Sequence, residues 1–419
     1  MRIIILMVLL VITLSMLPMQ AKANMSLVIV EDYRSDLAAE KLMARLDDYP
    51  DKTVTLAPLR LNYKFITSDS FHAYFRDLLS MKHSSPDIFF MDQIYLTDFV
   101  RSGFLADLTN YFPNSSRNAF VGFSINPAII DKHLWALPIH SEVGVIYYRK
   151  DLLREAGRAI PKSWNEMRDT ALAVMKRHPN IQGYIGQFKE YEGLVCNFAE
   201  FAWSNAVDPF SPEERDRTKL VEALQTLVDW VNKDMIIPQK SLEMTEGESI
   251  VEFAEGRALF LRHWPSGGVA WFKEALADDK IGLMALPPGP SGNQAFMVTG
   301  GWYFVVNAFS KNVKKAIEAL TFLDDERSQM INFETKREIP SRKKLYLDDR
   351  IKRTFSSYYH YLEAGGFTAR SRPQTPFYSE LSKAIASSVH RALTKDLTVQ
   401  EAVDRIYTEV QHIRKSANQ

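Results

Sequence analysis

Residues 134–153 read LWALPIHSEVGVIYYRKDLL, and this stretch decides which fold the sequence predicts. An apolar run that ends at Pro138 is followed by the polar residues His140, Ser141 and Glu142, and then by a second apolar strand at 143–148. An imidazole and a carboxylate within an otherwise apolar segment cost free energy unless they meet polar partners. The pattern therefore predicts a strand that crosses between two lobes and turns its polar side chains into a cleft.

Strand-like and helix-like segments alternate along the rest of the chain, which predicts an α/β fold with a mainly parallel sheet. A chain of 419 residues is longer than one hydrophobic core usually serves, so two lobes are expected. Apolar periodicity and capping residues predict strands at 27–31, 87–92, 258–264 and 281–286, a second crossing strand at 297–307, and helices at 35–48, 94–101, 192–204, 217–233, 313–323 and 376–393.

The charge balance argues against nucleic acid and anionic membranes as partners. The chain has 51 basic and 51 acidic residues, and removing residues 1–23, which hold Arg2 and Lys22 and no acid, leaves 49 against 51, a net charge of −2. No basic field remains to attract phosphates or anionic lipids. The single cysteine, Cys196, cannot form an internal disulfide, and its apolar neighbours predict a buried small hydrophobic side chain.

The N-terminus has the features of a secretory signal. Arg2 supplies a short positive region, residues 3–18 are almost wholly apolar, and Ala21-Lys22-Ala23 fits the small-x-small rule for cleavage. We therefore predict that residues 1–23 are a signal peptide cleaved after Ala23, which would place the mature protein in the periplasm. An uncleaved anchor helix is the alternative interpretation of the same residues.

Motifs spread over most of the chain share the pattern of one family. They are 85–108 (SPDIFFMDQIYLTDFVRSGFLADL), the crossing segment 134–153, 184–205 (YIGQFKEYEGLVCNFAEFAWSN), 258–265 (ALFLRHWP), 299–304 (TGGWYF), 339–344 (IPSRKK) and 369–378 (ARSRPQTPFY). In this order they resemble the bacterial extracellular solute-binding proteins of family 1, which supply sugars to ABC importers, and in particular the trehalose- and maltose-binding branch.

The resemblance implies a fold, a lobe division and a function. The fold is the type II periplasmic-binding-protein fold, in which two lobes, each a sheet flanked by helices, enclose a ligand cleft. The N-lobe would comprise residues 24–137 plus 291–342, and the C-lobe 138–290 plus 343–419. The protein would capture a sugar, such as the disaccharides trehalose or maltose, and deliver it as a monomer to the membrane permease subunits of an ABC importer. Neither a metal nor another cofactor is expected.

A sugar site needs two kinds of group. A pyranose has apolar C–H faces and a rim of hydroxyls, so it is bound by flat aromatic surfaces and by charged groups in fixed geometry. The candidates are Trp264 and Trp302 for the surfaces; Asp92, Glu142 and Arg372 for the hydroxyls; Gly301 with Gly300 for close approach of the backbone; and Tyr191, Glu192, His140 and Arg34 as further contacts.

Each candidate also has a structural interpretation. Asp92 can cap the helix that follows it, and Glu192 can interact with the positive end of a helix dipole. The tryptophans can be core aromatics, and Arg370 and Arg372 can form a solvated basic patch. His140 and Glu142 stand where relatives often carry an aromatic residue and an aspartate, so the residues that would select the sugar differ from the usual pattern.

Two rival functions fit an exported two-lobe protein. A secreted glycosidase would use two carboxylates at a fixed distance across one bond, for which Asp92 and Glu142 would be the candidates. The sequence contains no GxSxG elbow, HExxH motif or phosphate-binding P-loop, so enzymatic activity is not expected. A periplasmic sugar-sensing partner of a membrane receptor is compatible with the same fold, because a closed sugar-bound form can also dock on a receptor.

Overall fold

The computed structural model describes residues 25–31, 41, 49, 54–60, 68–268 and 280–417. The predicted signal peptide at residues 1–23, the candidate residue Arg34 and all but Lys41 of the predicted helix at 35–48 lie outside the described residues. Strands and helices are both abundant in the described part, so the predicted α/β class is confirmed.

The strands of the described residues are, in chain order, β1 Met25–Glu31, β2 Val54–Arg60, β3 Ile88–Asp92, β4 Ile129–Ile130, β5 His133–Leu134, β6 Leu137–Pro138, β7 Glu142–Val143, β8 Val145–Arg149, β9 Gln182–Ile185, β10 Ala258–His263, β11 Ile281–Met284, β12 Ala295–Gly300, β13 Trp302–Val306 and β14 Phe367–Arg370.

The α-helices of the same residues are α1 Ser68–Ser80, α2 Leu96–Arg101, α3 Asn114–Arg117, α4 Gly122–Ile125, α5 Lys150–Glu155, α6 Trp164–Arg177, α7 Glu192–Ser204, α8 Arg217–Asn232, α9 Glu246–Ala254, α10 Val313–Leu323, α11 Glu326–Lys336, α12 Asp349–Thr354, α13 Ser356–Ala364, α14 Tyr378–Leu393 and α15 Val399–Ala417. The predicted helices 192–204 and 313–323 match α7 and α10 at both ends.

Two sheets form the framework of the molecule. The first sheet has the order β3-β13-β6, with β13 antiparallel to both neighbours. The second sheet has the order β11-β8-β10-β9, in which β8 is antiparallel to β10 and β11 and β9 is parallel to β10. Elsewhere β1 and β2 pair in parallel, so parallel and antiparallel pairs coexist and the expected mainly parallel sheet is wrong.

Three stretches of chain run between the sheets. The first crossing, residues 137–149, leaves β6 in the first sheet, passes through β7 and enters β8 in the second. The second crossing, residues 295–306, runs beside it in the opposite sense, with β12 pairing β7 and β13 pairing β6. The third crossing, residues 339–342, adds a bridge from Pro340 to His140. The crossing predicted from residues 134–153 therefore exists, and it lies between two further crossings.

The second crossing strand differs from its prediction in one respect. It was expected as one strand over 297–307, whereas the structure divides it at Gly301, which has φ +155°. The division lets β12 pair with β7 and β14 while β13 joins the first sheet. The glycine pair at 300–301 is the one sign of this change of partner in a run that is otherwise mostly apolar and buried in both halves.

Hydrophobic side chains cover the sheets on the faces that meet the helices. One extended cluster contains residues of both sheets and of α1, α2, α7, α8, α10, α14 and α15. A second cluster joins Tyr147 of β8 and Leu261 of β10 to Ile351 of α12, Tyr358 of α13 and Phe355 between these two helices. Cys196 is buried in the first cluster, as its apolar neighbours predict. The boundaries of the two lobes stay predictions.

Candidate functional site

The site is built around the corner where the second crossing changes sheets. An added Cβ on Gly301 would lie 2.8 Å from the carbonyl oxygen of His140, so this corner packs directly on the first crossing. The N–H of Gln93 donates to the Gly301 carbonyl at 3.3 Å, which ties the end of β3 to the same point. Glycine is required here because no side chain fits the space and because φ is positive.

Trp302 follows this corner and is opposite Asp92 in the β13–β3 register. Its indole is half-buried and packs edge-to-face on Phe71, with ring centroids 5.7 Å apart, and on Phe90, at 5.4 Å. The two phenylalanines fix the orientation of the ring, and part of its surface stays exposed. The core interpretation of Trp302 is therefore only half right, since the side chain is anchored in the core and reaches out of it.

Trp264 follows β10 and lies against the other glycine of the pair. An added Cβ on Gly300 would be 2.8 Å from Cζ3 and 3.0 Å from Cη2 of the indole. The guanidinium carbon of Arg262 lies 4.3 Å from the centre of the same ring system. Trp264 is half-buried like Trp302, and the structure places both tryptophans at the corner 300–302, Trp264 against Gly300 and Trp302 two residues further along the chain.

Arg372 is buried, at 5% exposure, and connects three parts of the molecule. Its Nη1 donates to Oε1 of Glu192 on α7 at 2.6 Å, its Nη2 donates to the carbonyl of Thr299 at 3.4 Å, and Nη2 lies 3.7 Å from Oδ1 of Asp92. The solvated-patch interpretation of Arg372 is therefore wrong. Its Nε is buried and donates to none of the described residues, so one donor of the fork is unused.

Glu192 is held on several sides. In addition to Arg372, the hydroxyls of Tyr378 and Ser382 on α14 donate to its carboxylate. Burial raises the pKa of the Glu192 carboxyl, and the charge of Arg372 and the two hydroxyl donors oppose that rise. Glu192 starts α7, as the helix-dipole interpretation expects, but its main contact is the guanidinium rather than solvent.

Asp92 caps a helical turn and also faces a guanidinium. Its Oδ1 accepts from the N–H of Ile94 at 3.3 Å, which caps the short helical turn after β3. The same oxygen faces Arg372. The capping interpretation is thus correct, and it does not remove the carboxylate from the neighbourhood of Trp302.

Glu142 and His140 lie where the three crossings meet. Oε1 of Glu142 accepts from the N–H of Ser266 at 3.0 Å, and Oγ of Ser266 accepts from the N–H of Ile339 at 3.2 Å. Nδ1 of His140 lies 3.5 Å from Oε2 of Glu338, just before the third crossing. Both polar side chains of the opening motif therefore meet protein partners, which explains how they are tolerated among apolar neighbours.

Two of the residues considered are engaged elsewhere. The hydroxyl of Tyr191 donates to Oε2 of Glu246 at 2.7 Å, and its ring covers Gly193. Arg370 pairs with Asp208 at 2.7 Å and stacks on Trp203 at 4.5 Å. The structure therefore brings together Asp92, Glu142, His140, Glu192, Trp264, Gly301, Trp302 and Arg372, and it gives Tyr191 and Arg370 other partners.

Sequence reasoning missed a buried ion pair behind Trp264. Arg262 of β10 is 0% exposed and its Nη2 lies 2.6 Å from Oε1 of Glu200 on α7, which is 1% exposed. The signal was present in the sequence, because a charged residue inside the apolar run ALFLRHW is as unusual as Glu142 in its own run. Glu338 was missed as well, and its signal is weaker because the residues before it, 335–337, are polar.

The described part of the chain offers no cluster of three or more histidine, cysteine or acidic side chains arranged to hold a metal ion. Within the same residues, none of the helices combines the length and the hydrophobicity needed to cross a bilayer.

Residues 38–330 match the family model described as bacterial extracellular solute-binding protein. A probable ABC transporter-binding protein of Deinococcus radiodurans is 31% identical over 351 residues, which are 78% of this chain and 80% of that protein. The galactooligosaccharide-binding protein of Bacillus subtilis is 24% identical over 337 residues, 77% of this chain and 75% of its own length.

Solved structures share the fold over nearly the whole chain. Maltose-bound MalE3 of T. maritima is 27% identical, superposes with a TM-score of 0.80, and is matched over 93% of this chain and 99% of its own. A ribitol-bound solute-binding protein of Agrobacterium radiobacter is 17% identical with a TM-score of 0.78, and is matched over 93% of this chain and 98% of its own. The predicted two-lobe α/β fold is confirmed by these superpositions.

Proposed function

The chain belongs to the bacterial extracellular solute-binding protein family, and on that basis we propose that it captures a sugar and delivers it to an ABC importer. The observation that carries the proposal is the corner Gly300-Gly301-Trp302, at which two half-exposed indoles, from Trp264 and Trp302, lie beside the buried guanidinium of Arg372. This combination of aromatic surfaces and a fixed ionic donor suits the apolar faces and hydroxyl rim of a pyranose.

The groups around Arg372 support a role in hydroxyl recognition. The guanidinium is held by Glu192, and it turns toward Asp92 at 3.7 Å, a distance longer than a direct ion-pair hydrogen bond. A sugar hydroxyl can accept from a guanidinium and donate to a carboxylate at the same time. We propose that Arg372 and Asp92, side by side, bind one hydroxyl between them and that Trp302, opposite Asp92 in the register, covers the sugar face.

We propose a di- or oligosaccharide, such as trehalose or maltose, as the ligand. The 27% identity to a maltose-bound protein and the 24% identity to a galactooligosaccharide-binding protein support this class. The ribitol-bound neighbour has the same fold at 17% identity, so the fold alone does not separate oligosaccharides from polyols. Two indoles provide more flat surface than a small polyol can cover, which favours the larger ligand.

We propose that the mature protein acts as a monomer in the periplasm, after removal of residues 1–23, and docks on the permease subunits when its lobes are closed. The family comprises extracellular binding proteins and not enzymes, and we propose no catalytic role for Asp92 or Glu142. Each of the two carboxylates already accepts a hydrogen bond from a backbone N–H of the protein, which suits a fixed binding role.

A thermal-shift screen of the mature protein tests the proposal. Trehalose, maltose, galacto-oligosaccharides and ribitol are each added at increasing concentration, and only a true ligand raises the melting temperature. A ligand present at 100 times its Kd stabilises the native state by about 2.7 kcal/mol. Chromatography after a long incubation is expected to return the sugar intact. Flat calorimetry with every saccharide would reject sugar capture, and cleavage products would instead support a glycosidase.

A further inference from the structure

The buried pair Glu200–Arg262 is the most heavily desolvated ion pair of the described residues, with side chains 2% and 0% exposed. The contact is bidentate, because Nη2 of Arg262 donates to Oε1 of Glu200 at 2.6 Å while Nε donates to Oε2 at 3.0 Å. Two charges removed from water to this extent repay the desolvation only when their geometry is tightly fixed. The pair is therefore a rigid element whose neighbours take their positions from it.

The Glu200–Arg262 pair contacts the first and second crossings. Oε1 of Glu200 also accepts from the N–H of Val298 on β12 at 3.1 Å. An added Cβ on Gly144 of the first crossing would lie 2.6 Å from both Nη2 of Arg262 and Oε1 of Glu200. Helix α7, strand β10 and the first and second crossings thus meet at one charged point, and the glycine at 144 makes room for it.

The same guanidinium supports the indole of Trp264. The guanidinium carbon of Arg262 lies 4.3 Å from the centre of the ring system. Gly300, two residues after Val298, contacts one edge of the same ring, at the atoms Cζ3, Cη2 and Cε3. One surface of the indole is thus occupied by a planar cation and one edge by backbone, while the side chain stays half-exposed. The ring has little freedom to turn.

We propose that Glu200 and Arg262 are positioning residues that hold the Trp264 indole in the orientation in which it stacks on the ligand. This inference rests on the proposed function for the identity of the ligand, but the fixing of the ring can be measured without one. An indole already fixed before binding loses less freedom when the ligand arrives, so the pair raises affinity without touching the ligand.

The first test is spectroscopic and uses no ligand. The near-ultraviolet circular dichroism of the wild type minus that of Trp264→Phe isolates the band of this indole. Arg262→Lys keeps the charge for Glu200 but loses the planar stacking surface and the bidentate contact. The band is expected to fall by half or more in the Arg262→Lys background. An unchanged band in a folded variant would overturn the proposal.

The second test is a double-mutant cycle on the Kd of whichever saccharide the thermal-shift screen identifies. Arg262→Lys is expected to raise Kd at least tenfold in the wild type and less than twofold in the Trp264→Ala background, because its effect passes through the ring. Equal weakening in both backgrounds would show a role in stability alone and would contradict the proposal. If the wild type binds no saccharide, the proposed function fails, and the circular dichroism measurement still decides whether the pair fixes the ring.

A second variant keeps the test decisive if Arg262→Lys does not fold. The double substitution Glu200→Gln with Arg262→Met removes the ion pair. The glutamine keeps an acceptor for the Val298 N–H, and the methionine fills a volume similar to that of the arginine. Proteins often tolerate this kind of replacement of a buried ion pair. The Trp264 band is expected to weaken as in Arg262→Lys. A full-strength band in this variant would show that Gly300 and the surrounding packing alone fix the indole.

Discussion

At Gly301 the backbone has φ +155°, and the space where a Cβ would stand is occupied by the His140 carbonyl, 2.8 Å away. Gly301→Ala therefore combines a strained backbone with a clash between two crossing segments. We expect the free energy of unfolding, measured by urea denaturation, to fall by about 3 kcal/mol, the upper end of what a strained φ/ψ costs.

A matched control separates the clash from the backbone conformation. Gly103 also has a positive φ, +69°, but no heavy atom of the described residues, apart from its chain neighbours, lies within 4 Å of the place where its Cβ would stand. Gly103→Ala is expected to cost only about 1 kcal/mol, the usual penalty for an L-residue in the left-handed region. Equal losses at Gly103 and Gly301 would show that the contact with His140 contributes nothing.

Trp302 provides the residue-scale prediction for binding. Trp302→Ala removes a half-exposed ring from the site, and we expect the affinity for the saccharide to fall by about 2 kcal/mol, roughly 30-fold, by calorimetry. Trp135→Ala is the control, since Trp135 is a half-buried indole that donates to the Ile130 carbonyl beside the β4–β5 hairpin. A loss of affinity in Trp135→Ala of the same size would mean that general destabilisation explains both.

How far single residues could be predicted from the sequence depends on their neighbours. Glu142 and Trp302 stood out because a carboxylate among apolar residues and an indole after two glycines are unusual, and the structure brings both to the meeting point of the crossings. Glu338 and the partners of Arg372 could not be predicted, because their pairings join residues more than 70 positions apart. Pairings of that kind depend on the completed fold and leave no local pattern.

At the scale of secondary-structure elements, a network of polar groups fixes the third crossing. Gln329 of α11 donates to Asp324 at 2.8 Å and to the Ser341 hydroxyl at 2.7 Å, and its own oxygen accepts from the N–H of Ser341 at 2.9 Å. The Ser341 hydroxyl in turn donates to the carbonyl of Pro138 in the first crossing at 2.7 Å. The end of α10, helix α11 and two crossings are thereby connected.

Asp324 makes this network sensitive to pH. Burial raises the pKa of its carboxyl to about 7, against the opposing charge of Arg342 and the hydrogen bond from Gln329. Since the folded-state pKa lies above the unfolded value, the native state binds the extra proton below pH 7, and stability falls as pH rises from about 4 to 7. We expect Asp324→Asn, which is neutral at every pH, to gain melting temperature relative to wild type between pH 5 and pH 8.

Glu252 is the control for that measurement. Hydrogen bonds from Arg257 lower its pKa to about 2, so from pH 5.5 upward it is ionised in both the folded and the unfolded state. The melting temperature of Glu252→Gln relative to wild type is expected to stay constant between pH 5.5 and pH 8. A constant difference for Asp324→Asn over the same range would contradict the assigned titration.

The predicted helices bury different kinds of residue from the helix that the sequence did not predict. Helix α10 buries apolar residues at helical spacing, helix α7 is mostly apolar and buried along its whole length, and both were predicted to the residue. Helix α11 was not predicted, because Ser328, Gln329 and Asn332 are among its buried residues and break the apolar periodicity. The polar network of the third crossing requires those side chains. Because they are polar and buried, the apolar periodicity that predicts a helix is missing from α11.

At the scale of the whole molecule, three crossings tied by hydrogen bonds form a narrow connection between two sheets. The N–H of Val143 donates to the hydroxyl oxygen of Tyr358 at 3.1 Å, and the hydroxyl of Tyr361 donates to the carbonyl of Gly144 at 3.2 Å, so the first crossing is also fixed from α13. A connection of this kind permits rotation of the halves more readily than sliding, which is the geometry of hinge closure. The length of the chain predicted two lobes, whereas composition placed no boundary between them and only the resemblance supplied one, which stays a prediction.

Closure by the ligand is the last prediction. A sugar that lies against Trp302 of the first sheet and Trp264 after β10 of the second gains further contacts with both lobes when the two sheets approach, so it shifts the population toward the closed form. We expect the radius of gyration from small-angle X-ray scattering to decrease when the saccharide is added to the mature protein, and not to decrease in Trp302→Ala at the same concentration. Calorimetric binding with unchanged scattering would contradict closure while leaving capture intact. Scattering that changes equally in Trp302→Ala would show that the ring of the second crossing does not couple binding to the hinge.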